Sequence, residues 1–574
     1  MIEISIIIPT YNRSERLRAC LEALTQQTQS SSDFEVIVVV DGSTPDTLQL
    51  LTSLVTPYSL VVLSQNNLGQ CRALNRGVEA AQGRYCLFLD DDMVASPRLV
   101  AEHLQVQRLN DKVVAIGQIT LRLLSNADWY VRSFAQGWRE HYRWLNQTRV
   151  TPTWEDCYGG NLSVSRTLFV EAGGFDSRLA RGYDVELAYR LHQVGACFVY
   201  VPDALSDQDE RKGRRALMTD AENAGAADYA VYQRYGQIIS QALASFSEGS
   251  WRKLLLRRVL LALQLSPHWL TRVGRFIARP SRQYSWYSFV QNYCYWRGVC
   301  GAAGAGHAWQ QLTQGIPILL YHAFGGPGER PSRYIMPIAR FSGQMRCLHL
   351  FRYHVISLEE FIDYCQSHRP PPPRTVIITF DDGYTDNRSL AYPIVSRYRF
   401  PVTIFLVGGR LGGTNRWDNQ GELAGRDLMS CSDAQEMSAA GIHLGAHSRS
   451  HPSLTSQLPE QARDEIEGSQ RDLKALFGIP IPAFAYPYGE YNADVQAMVE
   501  RSGYRVACTA DAGLNTLMTS PYALRRAEVY GTDAWPRFLL ALWFGNAAAI
   551  FPRRRTRPVV SQMSTRSPAN TSGE

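Results

Sequence analysis

Apolar residues in two stretches of the chain come in short unbroken runs, separated by amphipathic segments. Over the first 200 residues "ISIIIP", "FEVIVVV" and "RYCLFL" read as strands, and "RSERLRACLEAL" and "CRALNRGVEAAQ" as helices. Strands that do not alternate polar with apolar are buried on both faces, which predicts a parallel sheet with helices on either side. A second alternating stretch begins at "IPILLYH" and runs to about residue 540, with strands "TVIITF", "VTIFLV", "IHLGAH" and "AFAYPYG". In such sheets ligands bind beyond the carboxyl ends of the strands, so the polar residues there are the ones to inspect.

Between these stretches, residues 205 to 310 are helical in pattern and rich in Arg, Trp and Tyr, as in "WRKLLLRRVLLALQL" and "YSWYSFVQNYCYWRG". Two readings stand side by side: a packed helical linker, or a basic amphipathic surface resting on a membrane. "GAAGAGHAW" reads as a hinge, "RPPPPR" as a stiff loop before a core strand, and "PRRRTRPVVSQMSTRSPANTSGE" as a disordered tail. The expected division is 1–205, a helical extension at 206–310, 311–540, and a tail at 541–574.

Length and composition narrow the classes. A chain of 574 residues is too long for one core, and 45% hydrophobic with 20% charged residues is ordinary for α/β proteins. The net charge of +6 comes with no long Lys/Arg face, so nucleic acid is not an expected partner. Eleven cysteines without a CxxC pair suit reduced thiols in a cytoplasmic compartment. The start "MIEISIIIPTYN" enters a strand directly, and no run of eighteen apolar residues exists. The expectation is a cytoplasmic protein, at most peripheral at the inner face of a membrane.

"FLDDDM" places Asp90, Asp91 and Asp92 at the end of a strand. A lone Asp there often caps a turn, but three like charges call for a cation or a donor network, and carboxylates with phosphate oxygens suit Mg²⁺ or Mn²⁺. "PTYNR", "VDGST", "NNLGQCRALNRG", "GGNLSVSR" and "GGFDSRLARGYDVELAYRL" surround this knot in order. Together these motifs resemble a family 2 inverting glycosyltransferase with the GT-A fold, over roughly residues 3 to 205. The resemblance implies that Thr10, Tyr11 and Asp41 hold the nucleoside of a UDP-sugar. It also implies that Asp92 ligates the Mg²⁺ or Mn²⁺ with Asp90 or Asp91 in support, and that Asp184 is the catalytic base. Two positions depart from the family pattern, Val40 before Asp41 and Tyr183 before Asp184. The QxxRW signature of processive synthases is missing, which favours single transfers.

"TFDDG" sets Asp381 and Asp382 at the end of another strand, and "HSRSH" carries His447 and His451 four residues apart. On a helical turn both imidazoles face the same way, and with one carboxylate they form a three-ligand site open to water. The order "YH", "TFDDG", "HSRSH", "YPYG" resembles a NodB-type polysaccharide deacetylase of carbohydrate esterase family 4, over about 316 to 530. The resemblance implies a distorted (β/α) barrel, with Asp382, His447 and His451 binding Zn²⁺ or a similar metal and Asp381 as general base. "FAYPYG" replaces the family's Arg-containing motif, so Tyr486, Pro487, Tyr488 and Gly489 are expected along the groove; the family's late LxH motif has no counterpart. By likeness to the poly-N-acetylglucosamine branch His322 is the general acid, and Arg525 is assigned to orient Asp381. His192, His349 and His443 read as structural, and Ser448 and Ser450 match no nucleophile arrangement.

The expected protein is therefore a bifunctional carbohydrate enzyme, a GT-A domain and a deacetylase barrel joined by helices. It would transfer an N-acetylhexosamine from a UDP-sugar to a glycan or lipid-linked acceptor and N-deacetylate an N-acetylated sugar. The alternative is an active deacetylase carrying a non-catalytic N-terminal domain that binds nucleotide sugar or glycan.

Overall fold

The computed structural model describes residues 2–545 apart from 43–44, 148–149, 248–250, 278–281, 305 and 419–420. Most of the predicted tail lies outside the described residues. The chain divides into two compact units: residues 1–314 with additions at 363–373 and 516–518, and the remainder from 315 onward.

The first unit is built on one eight-stranded sheet. Its strands are β1 (Ile4–Thr10), β2 (Phe34–Asp41), β3 (Ser59–Gln65), β4 (Tyr85–Leu89), β5 (Met93–Ala95), β6 (Val113–Leu123), β7 (Asn161–Ser165) and β8 (Cys197–Glu210), ordered 3-2-1-4-7-6-8-5. β1, β2 and β4 are buried at every position. Ile4, Ile6 and Ile8 enter one core and Ile7 the other, which is why these runs show no polar alternation. The helix Ser14–Leu24 buries Leu17, Cys20, Leu21 and Leu24, a single stripe at helical spacing. The sheet is not wholly parallel as predicted: β7 runs antiparallel between β4 and β6, and β5 antiparallel beside β8. Burial on both faces erases alternation whatever the strand direction, so the sequence pattern carried no sign of these reversals. The helices of residues 214–303 fold with this unit, Arg214–Tyr235 packing along Gln283–Ala303.

The second unit is a parallel barrel. Its strands are β9 (Ile318–Tyr321), β10 (Ala323–Gly325), β11 (Ile335–Pro337), β12 (His354–Val355), β13 (Thr375–Phe380), β14 (Thr403–Leu406), β15 (His443–Ala446), β16 (Ala483–Ala485), β17 (Val506–Cys508) and β18 (Ala527–Glu528). The main sheet runs 17-16-15-14-13-9-18, with β12 on β13 and β10 paired with β11 apart. One stretch closes the ring. Leu524 bonds to Ala507 and Thr509 beside β17, and Val529 donates to Leu320 in β9. The helix Trp535–Phe544 buries Phe538, Ala541 and Leu542, so ordered structure continues past the expected boundary at 541. All eleven cysteines are free.

Candidate active sites

In the first unit, β1, β2 and β4 deliver Thr10, Asp41 and the acidic knot to one cleft of about 720 Å³, which Tyr11, Tyr183 and Asp184 also line. Two of the three carboxylates, Asp91 and Asp92, are paired with cationic donors from the chain itself. Asp91 accepts from Thr10 Oγ1 at 2.8 Å and from Arg13 Nη1 at 2.9 Å. Asp92 lies 3.3 Å from Arg16 and 3.5 Å from Arg13, and accepts from Gln208 Nε2 at 3.2 Å. Among the described residues the Asp90 carboxylate accepts only from Gln70 Nε2, at 3.0 Å, and burial together with its two acidic neighbours pushes it up to about 7. Arg13 and Arg16 sit just before and within the first turn of the helix after β1, a placement that motif matching did not single out.

Asp41 accepts from Gln65 Nε2, Leu68 N and Gly69 N at 2.8 to 2.9 Å, so it fixes the loop ahead of the helix Gln70–Ala80. Tyr11 is 49% exposed, its ring free to meet a ligand. Asp184 begins the helix Tyr183–Gln193 and is held by the Gly159 and Val185 amides at 3.1 and 3.0 Å. Burial raises its pKa, against the pull of those amides. Gly160 lets backbone and acid approach: a Cβ there would stand 2.9 Å from Asp90 Oδ2 and 2.6 Å from Met93 Cε. Arg181 and Lys212 also line the cleft and share Asp220, a cationic rim beside the acidic floor.

The second site lies in a cleft of about 220 Å³ at the carboxyl ends of the barrel strands. Asp381 extends the ladder, its amide donating to Tyr321 O at 2.9 Å, and Asp382 then turns at φ 72° with Gly383 at φ 72°. Adjacent carboxylates are thereby aimed apart. Asp381 meets Arg526 in a bidentate pair at 2.7 and 2.8 Å, both side chains buried. Burial alone would raise Asp381, but the Arg526 guanidinium overrides it and holds the carboxyl at about 2. The sequence assignment of this role to Arg525 is corrected: its side chain is exposed, and its neighbour faces inward. Extended backbone alternates sides, so a slip of one residue exchanges inside for outside.

Asp382 Oδ1 stands 3.5 Å from His447 Nε2 and 3.4 Å from His451 Nε2, and the two imidazole nitrogens are 3.2 Å apart. Asp382 Oδ1 is buried without a hydrogen-bond partner. His447 Nδ1 lies 2.8 Å from Ala485 O, which makes Nδ1 the donor and turns the Nε2 lone pair inward. Burial and the neighbouring His447 lower His451 to about 4, which favours the neutral imidazole. Two imidazole nitrogens converging on one orphaned carboxylate oxygen fit a divalent cation, and this trio is the one such group among the described residues. The convergence does not come from a helical turn, as the four-residue spacing had suggested. Ser448 and His451 both adopt left-handed φ, 62° and 67°, and Ser448 Oγ accepts from the His451 amide at 2.9 Å.

His322 and Tyr488 line the same cleft, as does Gly489. The His322 carbonyl is fixed by Asn387 Nδ2 at 2.9 Å, and the half-buried Asp386–Arg426 pair holds the Phe324 backbone. Asp386 and Asn387 lie in "DDGYTDN", directly after the acidic pair. Tyr488 meets His451 edge-on, and Trp417, not predicted, stacks on the same ring at 4.7 Å. Tyr486 and Pro487 depart from expectation: both are buried away from the cleft, Tyr486 packing in the core between Phe484 and Tyr491. His443 pairs with Glu359, His192 with Trp154 and His349 with Tyr398, all structural contacts.

Comparison with known proteins agrees with this division. Residues 5–172 match the family described as glycosyl transferase family 2, and residues 368–507 that described as polysaccharide deacetylase. The chain is 28% identical over 214 residues to YxkH of Bacillus subtilis, whose name assigns it provisionally to the polysaccharide deacetylases; the match covers 37% of this chain and 71% of YxkH. It is 27% identical over 242 residues to a chondroitin synthase of Escherichia coli, covering 37% of this chain and 35% of that one. With the uncharacterized glycosyltransferase YfnE of Bacillus subtilis it shares 28% identity over 256 residues, 36% of this chain and 64% of that one. The chain spans only part of each. One polypeptide thus carries a family 2 glycosyltransferase domain toward its N-terminus and a polysaccharide deacetylase domain toward its C-terminus.

Proposed function

We propose that the protein transfers an N-acetylhexosamine from a UDP-sugar to a glycan or lipid-linked acceptor and removes the N-acetyl group from that sugar or a neighbouring one. The observation that carries the second half is the convergence of Asp382, His447 and His451 beside a separately anchored Asp381. On this reading the trio holds Zn²⁺ or a similar cation, which supplies Lewis acidity toward the N-acetyl carbonyl and the attacking water. Asp381, kept ionised and oriented by Arg526, takes the proton of that water. His322, across the cleft, gives a proton to the departing amine. Trp417 and Tyr488 offer apolar faces on which a sugar ring can rest.

In the first cleft, Asp184 stands as the base that deprotonates the acceptor hydroxyl, its proton affinity raised by burial. Tyr11 and Thr10 flank the nucleoside position. Asp92, with Asp90 or Asp91, would take Mg²⁺ or Mn²⁺, whose chemistry there is neutralisation of the leaving diphosphate. The boundary near 310 belongs to the same reading, whereas that at 205 falls within β8 and that at 540 within the helix Trp535–Phe544.

Acetate release tests it. Full-length protein supplied with Zn²⁺ should release acetate from N-acetylglucosamine oligomers or UDP-N-acetylglucosamine, and Asp382→Ala should not. UDP release should depend on Asp184 and Asp92, and Asp184→Asn should lower it about 10²–10⁴-fold. Acetate release unchanged by Asp382→Ala would sink the deacetylase assignment. UDP release absent from the intact chain with every nucleotide sugar supplied would favour a binding role for the first domain, a reading kept open by Val40 and Tyr183.

A further inference from the structure

Among their described residues, the helices Trp251–Ala262 and Pro267–Ile277 bury one side in the first unit. Leu254, Leu260, Leu261 and Leu270 are buried, and the helix Gln283–Ala303 pins the pair. The Tyr293 hydroxyl lies 3.1 and 2.6 Å from the Leu260 and Leu265 carbonyls, and Trp286 Nε1 donates to Leu270 O at 3.0 Å. The opposite side is therefore outward by construction. It carries Leu255, Leu256, Val259 and Leu263, at helical spacing along one face, then Leu265 and Trp269; exposure reaches 63% at Leu263 and 56% at Trp269. An apolar strip of this kind on a soluble surface marks an interaction site.

Charge says which partner fits. Between Glu248 and Glu329 the sequence has no acidic residue and nine Lys or Arg. Arg252, Lys253, Arg272 and Arg282 are exposed around the strip. A face that is apolar at its centre, aromatic at Trp269 and flanked by exposed cationic side chains matches the boundary between anionic headgroups and acyl chains. A protein partner could also cover leucines, but nothing in a self-association of two such faces would offset like charge meeting like.

We propose that this face docks the glycosyltransferase unit on an anionic lipid bilayer. Both sequence readings of the segment then hold, one for each side of the helices. The proposal does not rest on which sugar is transferred.

Vesicle co-sedimentation of the full chain tests it, using phosphatidylcholine alone and phosphatidylcholine with about a quarter phosphatidylglycerol. Wild type should pellet with the anionic vesicles, and about 0.5 M salt should weaken binding. Leu256→Glu with Leu263→Glu should lower the bound fraction about tenfold or more, since apolar burial and charge both reverse. Arg272→Glu should weaken binding to anionic vesicles and leave residual binding to the neutral ones unchanged. Far-UV circular dichroism and UDP release with a soluble acceptor should match wild type throughout. Wild type left in the supernatant with anionic vesicles, or the double variant pelleting as well as wild type, overturns the proposal. So does light scattering that shows a wild-type dimer turned to monomer by the double variant without vesicle binding, because the strip would then be a contact between copies.

Discussion

Arg526 anchors Asp381, and replacing it by Met has a cost that can be worked from the geometry. The guanidinium makes three close hydrogen bonds, two to Asp381 at 2.7 and 2.8 Å and one from Nε to Thr509 O at 2.7 Å. Its side chain is 1% exposed and that of Asp381 4%, so water cannot replace them. Removing one partner of a buried ion pair costs about 3–5 kcal/mol, and an abandoned carbonyl adds about 1. His447 Nε2, 3.9 Å from Asp381, offsets part of this. The expectation is a loss of roughly 3 kcal/mol, or about 6–12 °C in the unfolding temperature of a unit this size. Arg526→Lys keeps the charge but not the fork, and should lose about half as much. Arg525→Ala, on the exposed neighbour, should stay within about 0.5 kcal/mol. Thermal unfolding of the full chain by circular dichroism and acetate release read the two consequences. A base that has lost its anchor should lower kcat by about tenfold to a hundredfold with little change in KM. If Arg526→Met unfolds within about 1 kcal/mol of Arg525→Ala, the pair is not the anchor argued for.

Two further outcomes follow from local geometry. Gly160→Ala should push its new methyl against Asp90 and Met93, costing about 1–3 kcal/mol and weakening donor binding by calorimetry, whereas Gly159→Ala, with 3.5 Å to Asp184 Cβ, should be mild. The His443–Glu359 pair, at 3.2 Å, should contribute about 0.5–1 kcal/mol within a pH window. The Glu359 carboxylate beside it raises His443, so its contribution is complete below the ordinary histidine range and fades as pH rises through the raised value. Burial would raise Glu359, but His443 holds it low, so that part fades as pH falls through the lowered value. His443→Gln should therefore cost most in urea unfolding near pH 6 and least near pH 9; a cost that grows toward pH 9 would contradict the pairing.

What the sequence revealed and what it hid have a common physical origin. Strand-end carboxylates were legible because a buried parallel strand is an unbroken apolar run and its first polar residue marks the rim. Side-chain direction beyond that rim was not, since it depends on single φ values and on parity. Arg525 and Arg526 are equivalent as letters, and only the path of the ladder decides which reaches Asp381. Tyr486 and Tyr488 differ in the same way, one ending a strand inside the core and the other turned outward at φ 58°. The His447–His451 spacing was informative for the wrong reason: a loop with two left-handed residues brings together what a helical turn had been expected to align. Arg13 and Arg16 were hidden because an exposed-looking basic residue after a strand carries no mark of the acids it will meet.

That last point separates the two acidic knots. At the deacetylase site Arg526 satisfies Asp381 alone, and Asp382 keeps a buried oxygen with no partner. A cation entering there displaces nothing, so Zn²⁺ should bind the protein without substrate. At the glycosyltransferase site Arg13 and Arg16 already occupy Asp91 and Asp92, and only Asp90, pushed up to about 7, lacks a cationic contact. A divalent ion must compete with two guanidinium groups there unless it brings further ligands, and a donor diphosphate supplies both oxygens for the ion and anionic partners for the arginines. Mn²⁺ should accordingly bind weakly alone and at least about tenfold more tightly with UDP present, a coupling of about 1.4 kcal/mol. Titration calorimetry with and without UDP, on protein whose second site is blocked by Asp382→Ala, measures that coupling directly. Equal Mn²⁺ affinity in the two titrations would mean that the arginines do not guard the acidic knot, and that its charge is balanced in some other way.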